Sequence, residues 1–228
     1  MTTKPILFNA EMIKAFLAGR KTETRRLIKA GNHKVLGGQT YFNGVKEMYA
    51  AATQSGGVVV APFQKGDILW VRETWAFWPC VTCGERNYCA EKPASMETAD
   101  GETEGCFLYR ADGETPIFRS GQIWRPSIHM PRQAARIFLR VEDVRAERLW
   151  SIEEADAKAE GVFKGWKPTG ASTPAASARQ AFMWLWQQCT RKGPEEQDWA
   201  ANPWVWVIRF EPCERPGIKN LGGYNESN

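Results

Sequence analysis

Residues 19–26 read GRKTETRR, in which Arg20, Lys21, Arg25 and Arg26 surround Thr22, Glu23 and Thr24. Such a cluster has three uses. It forms a solvated rim whose salt bridges contribute little, it holds phosphates through its cations, or it is the working end of an active site. Charge runs are usually solvated, so residue types alone leave the choice open. Glu73, beside Arg72, ends the run KGDILWVRETW; a carboxylate there accepts a hydrogen bond from a cytosine N4 amino group or closes a strand-end ion pair. In WRPSIHMPR, Arg125, Ser127 and Arg132 stand among two prolines, whose fixed φ makes a rigid substrate-binding wall. Cys80, Cys83, Cys89 and Cys106 follow C-x2-C-x5-C-x16-C. The first pair has the spacing of a zinc knuckle and the second does not, so a structural zinc and unpaired thiols both stay open. Four thiolates would close the coordination shell, which excludes a catalytic zinc here.

These residues need elements to position them. Residues 5–8 form a short strand, and Asn9 caps a helix with Met12, Ile13, Phe16 and Leu17 on one face and Gly19 as its stop. GRKTETRR therefore begins at a helix end and runs into a strand, and Lys21 and Thr24, three apart, converge only if the chain turns or bulges between them. From about 30 to 64 the pattern weakens around paired glycines and reads as an insertion or long loop. Ile68, Leu69, Trp70 and Val71 make a strand apolar on both faces, and RIFLRVEDV alternates, with Ile137, Leu139 and Val141 inward and Arg136, Arg140 and Glu142 outward. Ser151 and Glu154 make a capping box for SIEEADAKAEG. A longer helix starts at Thr173-Pro174 with Ala178, Phe182, Leu185, Trp186 and Cys189 as its stripe, and NPWVWVIRF is the last strand. The chain reads as one domain over 1–212 with insertions at about 30–64 and 78–122, then a flexible tail over 213–228.

A chain of 228 residues that is 43% hydrophobic can bury a substantial core. Its formal charge of +4 makes it mildly basic, so any nucleic-acid contact is local. The eleven tryptophans read mainly as packing residues rather than stacking platforms. No stretch has signal-peptide or membrane-span quality, which predicts a cytoplasmic protein that keeps its cysteines reduced. GxxxxGK[ST], the dinucleotide glycine fingerprint and HExxH are all absent from the sequence, which leaves ATP-driven, NAD-dependent and zinc-protease readings unsupported. Strands separated by short helices, without a βαβ rhythm, predict an α+β fold: a small mixed barrel with helices packed at its openings.

The spacing of Gly19, Lys21, Thr24 and Arg26, G-x-K-x-x-T-x-R, resembles the signature of the ASCH domain, a PUA-like β-barrel family in which Glu is more frequent at the position of Thr24. KPILFNAEMIKAFLAGRKTETRRLIK, GDILWVRETW, WRPSIHMPR with RIFLRVEDVRAERL, SIEEADAKAEGV and NPWVWVIRF are similar, in this order, to phage and prophage members. The resemblance implies a partner that is a modified nucleoside or RNA, in the cytoplasm of a bacterial or phage-infected cell. One bacterial branch hydrolyses N4-acetylcytidine without a cofactor, and Lys21, Thr24 and Glu160 are similar to its catalytic lysine, threonine and glutamate. That chemistry suits the residues: a threonine hydroxyl needs a base, and a lysine desolvated beside Arg20, Arg25 and Arg26 has its pKa lowered toward that role. Glu160, in the last helical turn, suits a proton shuttle. The same resemblance is compatible with a non-catalytic module in which Arg20, Lys21, Arg25 and Arg26 hold phosphates, and, less directly, with a phage accessory protein acting through protein contacts.

Overall fold

The computed structural model describes residues 2–29, 34–42, 47–79, 94–98, 101–113, 124–167 and 172–216. The fold is α+β and mostly sheet. Its centre is a five-stranded sheet in the order β1 (Thr3–Leu7), β6 (Ile68–Arg72), β10 (Phe138–Arg148), β11 (Trp204–Pro212), β2 (Glu23–Leu27). β1 and β6 run parallel, and the remaining neighbours are antiparallel. Among the described residues the sheet is open, where the sequence predicted a closed barrel. Its two edges nevertheless approach: the Arg26 guanidinium on β2 donates to the Leu7 carbonyl on β1 at 2.6 Å. A side chain therefore bridges the gap that a ladder would close, and a bulge between Val141 and Asp143 adds to the curvature of β10.

The segment expected to be a long loop forms an antiparallel sheet of β3 (Val35–Phe42), β4 (Glu47–Thr53) and β5 (Val58–Val60). Its glycines misled because they serve packing rather than turning. A Cβ on Gly38 would lie 2.6 Å from the Ala146 Cβ, so glycine lets β3 approach β10. The third sheet joins β7 (Trp75–Pro79), β9 (Gly101–Tyr109) and β8 (Ala94–Thr98). Cys106 lies on β9, and the other three candidate zinc ligands, Cys80, Cys83 and Cys89, lie outside the described residues.

Three helices cover the central sheet: α1 (Ala10–Leu17), α2 (Glu154–Ala159) and α3 (Ala178–Thr190). Asn9 caps α1 by accepting the Met12 N–H at 2.9 Å, as its position predicted. The buried face of α1 is Met12, Ile13 and Ala15, while Leu17 is exposed. α2 opens two residues later than the Ser151 box predicted: Asp156 accepts the Glu153 N–H at 3.1 Å. Glu154 serves α3 instead, accepting the Ala178 and Arg179 N–H groups at 2.8 and 3.0 Å. α3 begins at its Ser177 cap rather than at Thr173-Pro174, and its Cys189 is exposed instead of lying in the core stripe. No helix among the described residues is long and apolar enough to cross a membrane. The first residues of the expected tail are tied down, the Cys213 N–H donating to the Phe138 carbonyl at 2.9 Å.

Candidate active site

The turn after α1 delivers Lys21 into the interior. Gly19 takes φ +71°, the left-handed stop expected of it, and the Arg20 and Lys21 N–H groups both donate to the Ala15 carbonyl, at 2.9 and 3.3 Å. Thr22 then stitches two elements together: its N–H donates to the Ala159 carbonyl at the end of α2, and its carbonyl accepts the Phe210 N–H from β11. Gly161, at φ +99°, closes the junction, because a Cβ there would lie 2.5 Å from the Ala15 Cβ and 3.2 Å from the Lys21 Cβ. The ends of α1 and α2 can thus meet against Lys21.

Lys21 is 2% exposed and uses its three ammonium donors internally. Nζ lies 2.7 Å from Glu160 Oε2, 3.0 Å from the Glu160 carbonyl and 2.8 Å from the Glu23 carbonyl. Burial lowers its pKa below the ordinary lysine value; the Glu160 carboxylate opposes that shift, and Arg26 and Arg25 add to it. Glu160, the residue following α2, is itself 2% exposed. Its second oxygen faces Arg25 Nη1 at 3.3 Å, so its carboxylate is held between two buried cations.

Thr24 lies on β2 and is 1% exposed, and its Oγ1 has no hydrogen-bond partner. Burying a hydroxyl without a partner is costly. The strand period puts Thr24 and Arg26 on one face of β2 and Glu23 and Arg25 on the other. Because Lys21 precedes the strand, it is not bound by that alternation. The Phe8 ring lies 5.3 Å from Lys21 Nζ and 5.9 Å from Arg26 Cζ, so these two cations share one ring.

The cations of GRKTETRR divide sharply. Arg25 is buried among Glu160, Glu23, Glu147 and Asp156, at 3.3 to 3.7 Å. Glu23, also buried, faces Arg145 at 3.2 Å and Arg209 at 3.3 Å, and Arg145 additionally binds Glu147. Arg26 is committed to Leu7. Arg20 alone of the four is exposed, stacked on Phe163 at 5.5 Å and without an ion pair among the described residues. Three of the four cations are thus held by internal acceptors, and Arg20 is the exposed one.

Glu73 does not join this cluster, because its strand end points into a second apolar group with Trp75, Met130, Ala134 and Phe138. It is 1% exposed and bound by both oxygens to Arg136, at 2.8 and 3.0 Å. Arg136, expected to face outward, also holds Asp112 and lies 3.9 Å from the Tyr109 ring centroid. Burial raises the Glu73 pKa against the opposing pull of Arg136. The loop residues follow Glu73: Arg125 lies over Trp75 at 5.2 Å, and Ser127 and Arg132 sit in short 3-10 turns flanking buried Met130. Among the described residues, no hydrogen bond or ion pair ties any of them to Lys21, Thr24 or Glu160. Phe8, Glu147 and Asp156, by contrast, belong to the cluster's surroundings and had no sequence motif; the end of the first apolar run was the sole hint for Phe8.

No family model, curated protein or solved structure matches the chain. The case for a function therefore rests on the residues, their geometry and the resemblance of the motif.

Proposed function

We propose that the chain is an ASCH-type protein that binds a modified nucleoside and hydrolyses an N4-acylcytidine-type amide, with Thr24 as nucleophile, Lys21 as base and Glu160 as proton shuttle. The observation that carries this reading is the buried Lys21–Glu160 pair at 2.7 Å, close in the chain to a buried threonine hydroxyl that no other group uses. An isolated structural ion pair gives no reason for that hydroxyl. An acyl-transfer site does.

In this scheme the proton of Lys21 passes along its bond to Glu160 Oε2, leaving a neutral amine and a carboxylic acid. Exclusion of water by a bound substrate favours that uncharged pair over two buried ions. Thr24 Oγ attacks the acyl carbonyl, a C–O bond forms, and the hydroxyl proton goes to the Lys21 amine. Collapse breaks the C–N4 bond, and N4 takes the proton from the lysine ammonium. Water then cleaves the threonine ester by the reverse use of the same base, restoring the Thr24 hydroxyl and releasing a carboxylic acid that loses its proton to solvent. Each step balances without metal or redox partner.

The alternative of a phosphate-gripping module is disfavoured by the burial and internal pairing of Lys21 and Arg25. Substitution separates the two. Acyl transfer predicts that Thr24→Ala removes turnover and that adding Lys21→Ala to it costs almost nothing more in rate, because residues acting as one unit are non-additive. A phosphate grip predicts weakened binding for Lys21→Ala and indifference to Thr24→Ala.

A further inference from the structure

Beside the cluster lies a cavity of about 190 Å³ between α1 and the chain that follows α2. Its walls are Met12, Ala15, Val162 and Leu185 with the rings of Phe163 and Trp166, and Glu160 is shared between cavity and cluster. Arg20 and Lys14 stand at this cavity, with Glu11 as a partner of Lys14 at 3.5 Å. Arg20 makes no ion pair among the described residues, although Glu11 and Glu160 also line the cavity, and every other cation of its motif is committed to an internal acceptor. Phe163 is 44% exposed, a large ring left at the surface beside an unpaired guanidinium.

From this arrangement we infer that the cavity takes a pyrimidine nucleoside 5′-monophosphate, its ring between the aromatic walls and its phosphate on Arg20. The choice of nucleotide rests on the reading under Proposed function. The physical demands are set by the cavity itself. Apolar and aromatic walls accept a flat ring. A volume of about 190 Å³, below the usual range for drug-sized ligands, suits a single ring. A guanidinium without an acid binds a phosphate through two parallel N–H bonds, which a neutral nucleoside does not offer. Arg20 would thus make the protein prefer nucleotide to nucleoside, while Lys14 contributes less because Glu11 offsets it.

Calorimetric titration of the full chain with cytidine and with cytidine 5′-monophosphate tests this, at low salt and again at high salt. The expected result is binding of the monophosphate about tenfold or more tighter than cytidine, a preference that shrinks as salt rises. Arg20→Ala should bring the two ligands to similar affinity, and Phe163→Ala should weaken both. Equal affinities in the wild type, a preference that survives Arg20→Ala, or binding of neither ligand overturns the inference. Hydrolysis of N4-acetylcytidine by the same preparation reports on the proposed reaction separately. Turnover with no phosphate preference sinks the inference alone, and a phosphate preference with no turnover sinks the reaction alone.

Discussion

Thr24 and Lys21 are adjacent in motif and opposite in what they do for stability. The Thr24 hydroxyl is buried without a partner, so Thr24→Val keeps the shape and removes an unsatisfied group. That substitution should leave the protein as stable or more stable by about 1 kcal/mol in urea unfolding, while any acyl-transfer activity is lost. Lys21 is the reverse case, since removing it leaves Glu160 buried with Arg25 as its remaining cation; Lys21→Met should cost about 3 kcal/mol or more. Burial also lowers the folded-state pKa of Lys21 below its unfolded value of 10.5. Between those two values the unfolded chain binds the extra proton, so this lysine's contribution to stability rises as pH climbs through that window. The stability difference between wild type and Lys21→Met should therefore widen with pH above neutrality, where shifts common to both proteins cancel. Lys21, Thr24 and Arg26 were readable as a motif, but their separation into buried, unpartnered and bridging roles was not. It depends on Glu160, which lies more than a hundred residues away in sequence.

At the scale of elements, the junction of α1, α2 and β2 decides whether the site exists. Gly161 carries φ +99° and leaves no room for a Cβ against Ala15. Gly161→Ala should lower stability by about 2 to 3 kcal/mol, read as a fall in the melting midpoint, because left-handed strain and a clash with the Ala15 Cβ add. The same substitution should move Lys21 off Glu160 and reduce activity in the protein that remains folded. Local sequence could not show that two helix ends meet at this glycine. Strands with local apolar signals were legible: the buried run of β6 and the last strand β11 stand where their patterns put them. The sheet of β3 to β5 was not legible, because Gly37 and Gly38 read as punctuation until their neighbour β10 is known. Glu73 failed for a similar reason. Its partner Arg136 lies 63 residues on, at the start of a segment whose alternation put Arg136 outside.

For the whole molecule, two buried charge clusters sit in one α+β body, and they respond to pH differently. The Glu73 pKa is raised by burial while Arg136 holds the carboxylate. Arg136→Met should raise it further, so the folded variant binds a proton that the unfolded chain lacks once pH exceeds the ordinary glutamate value. Its stability then falls as pH rises through that window, and the deficit against wild type should be about 3 to 5 kcal/mol near neutrality and shrink on acidification. Melting curves of both proteins from about pH 4 to about pH 8 check this. The open sheet, with Arg26 spanning its edges, shows why an α+β class was readable while closure was not: alternation fixes which face of a strand is buried but not which strands meet. The central claim is chemical, and the most direct measurement is a hydrolysis assay of N4-acetylcytidine and a small panel of acylated nucleosides with wild type beside Thr24→Val. Turnover by the wild type that vanishes in the equally folded variant is the predicted result. Turnover that survives Thr24→Val, or no turnover by the wild type across the panel, would contradict the assignment of Lys21, Thr24 and Glu160 as an acyl-transfer site.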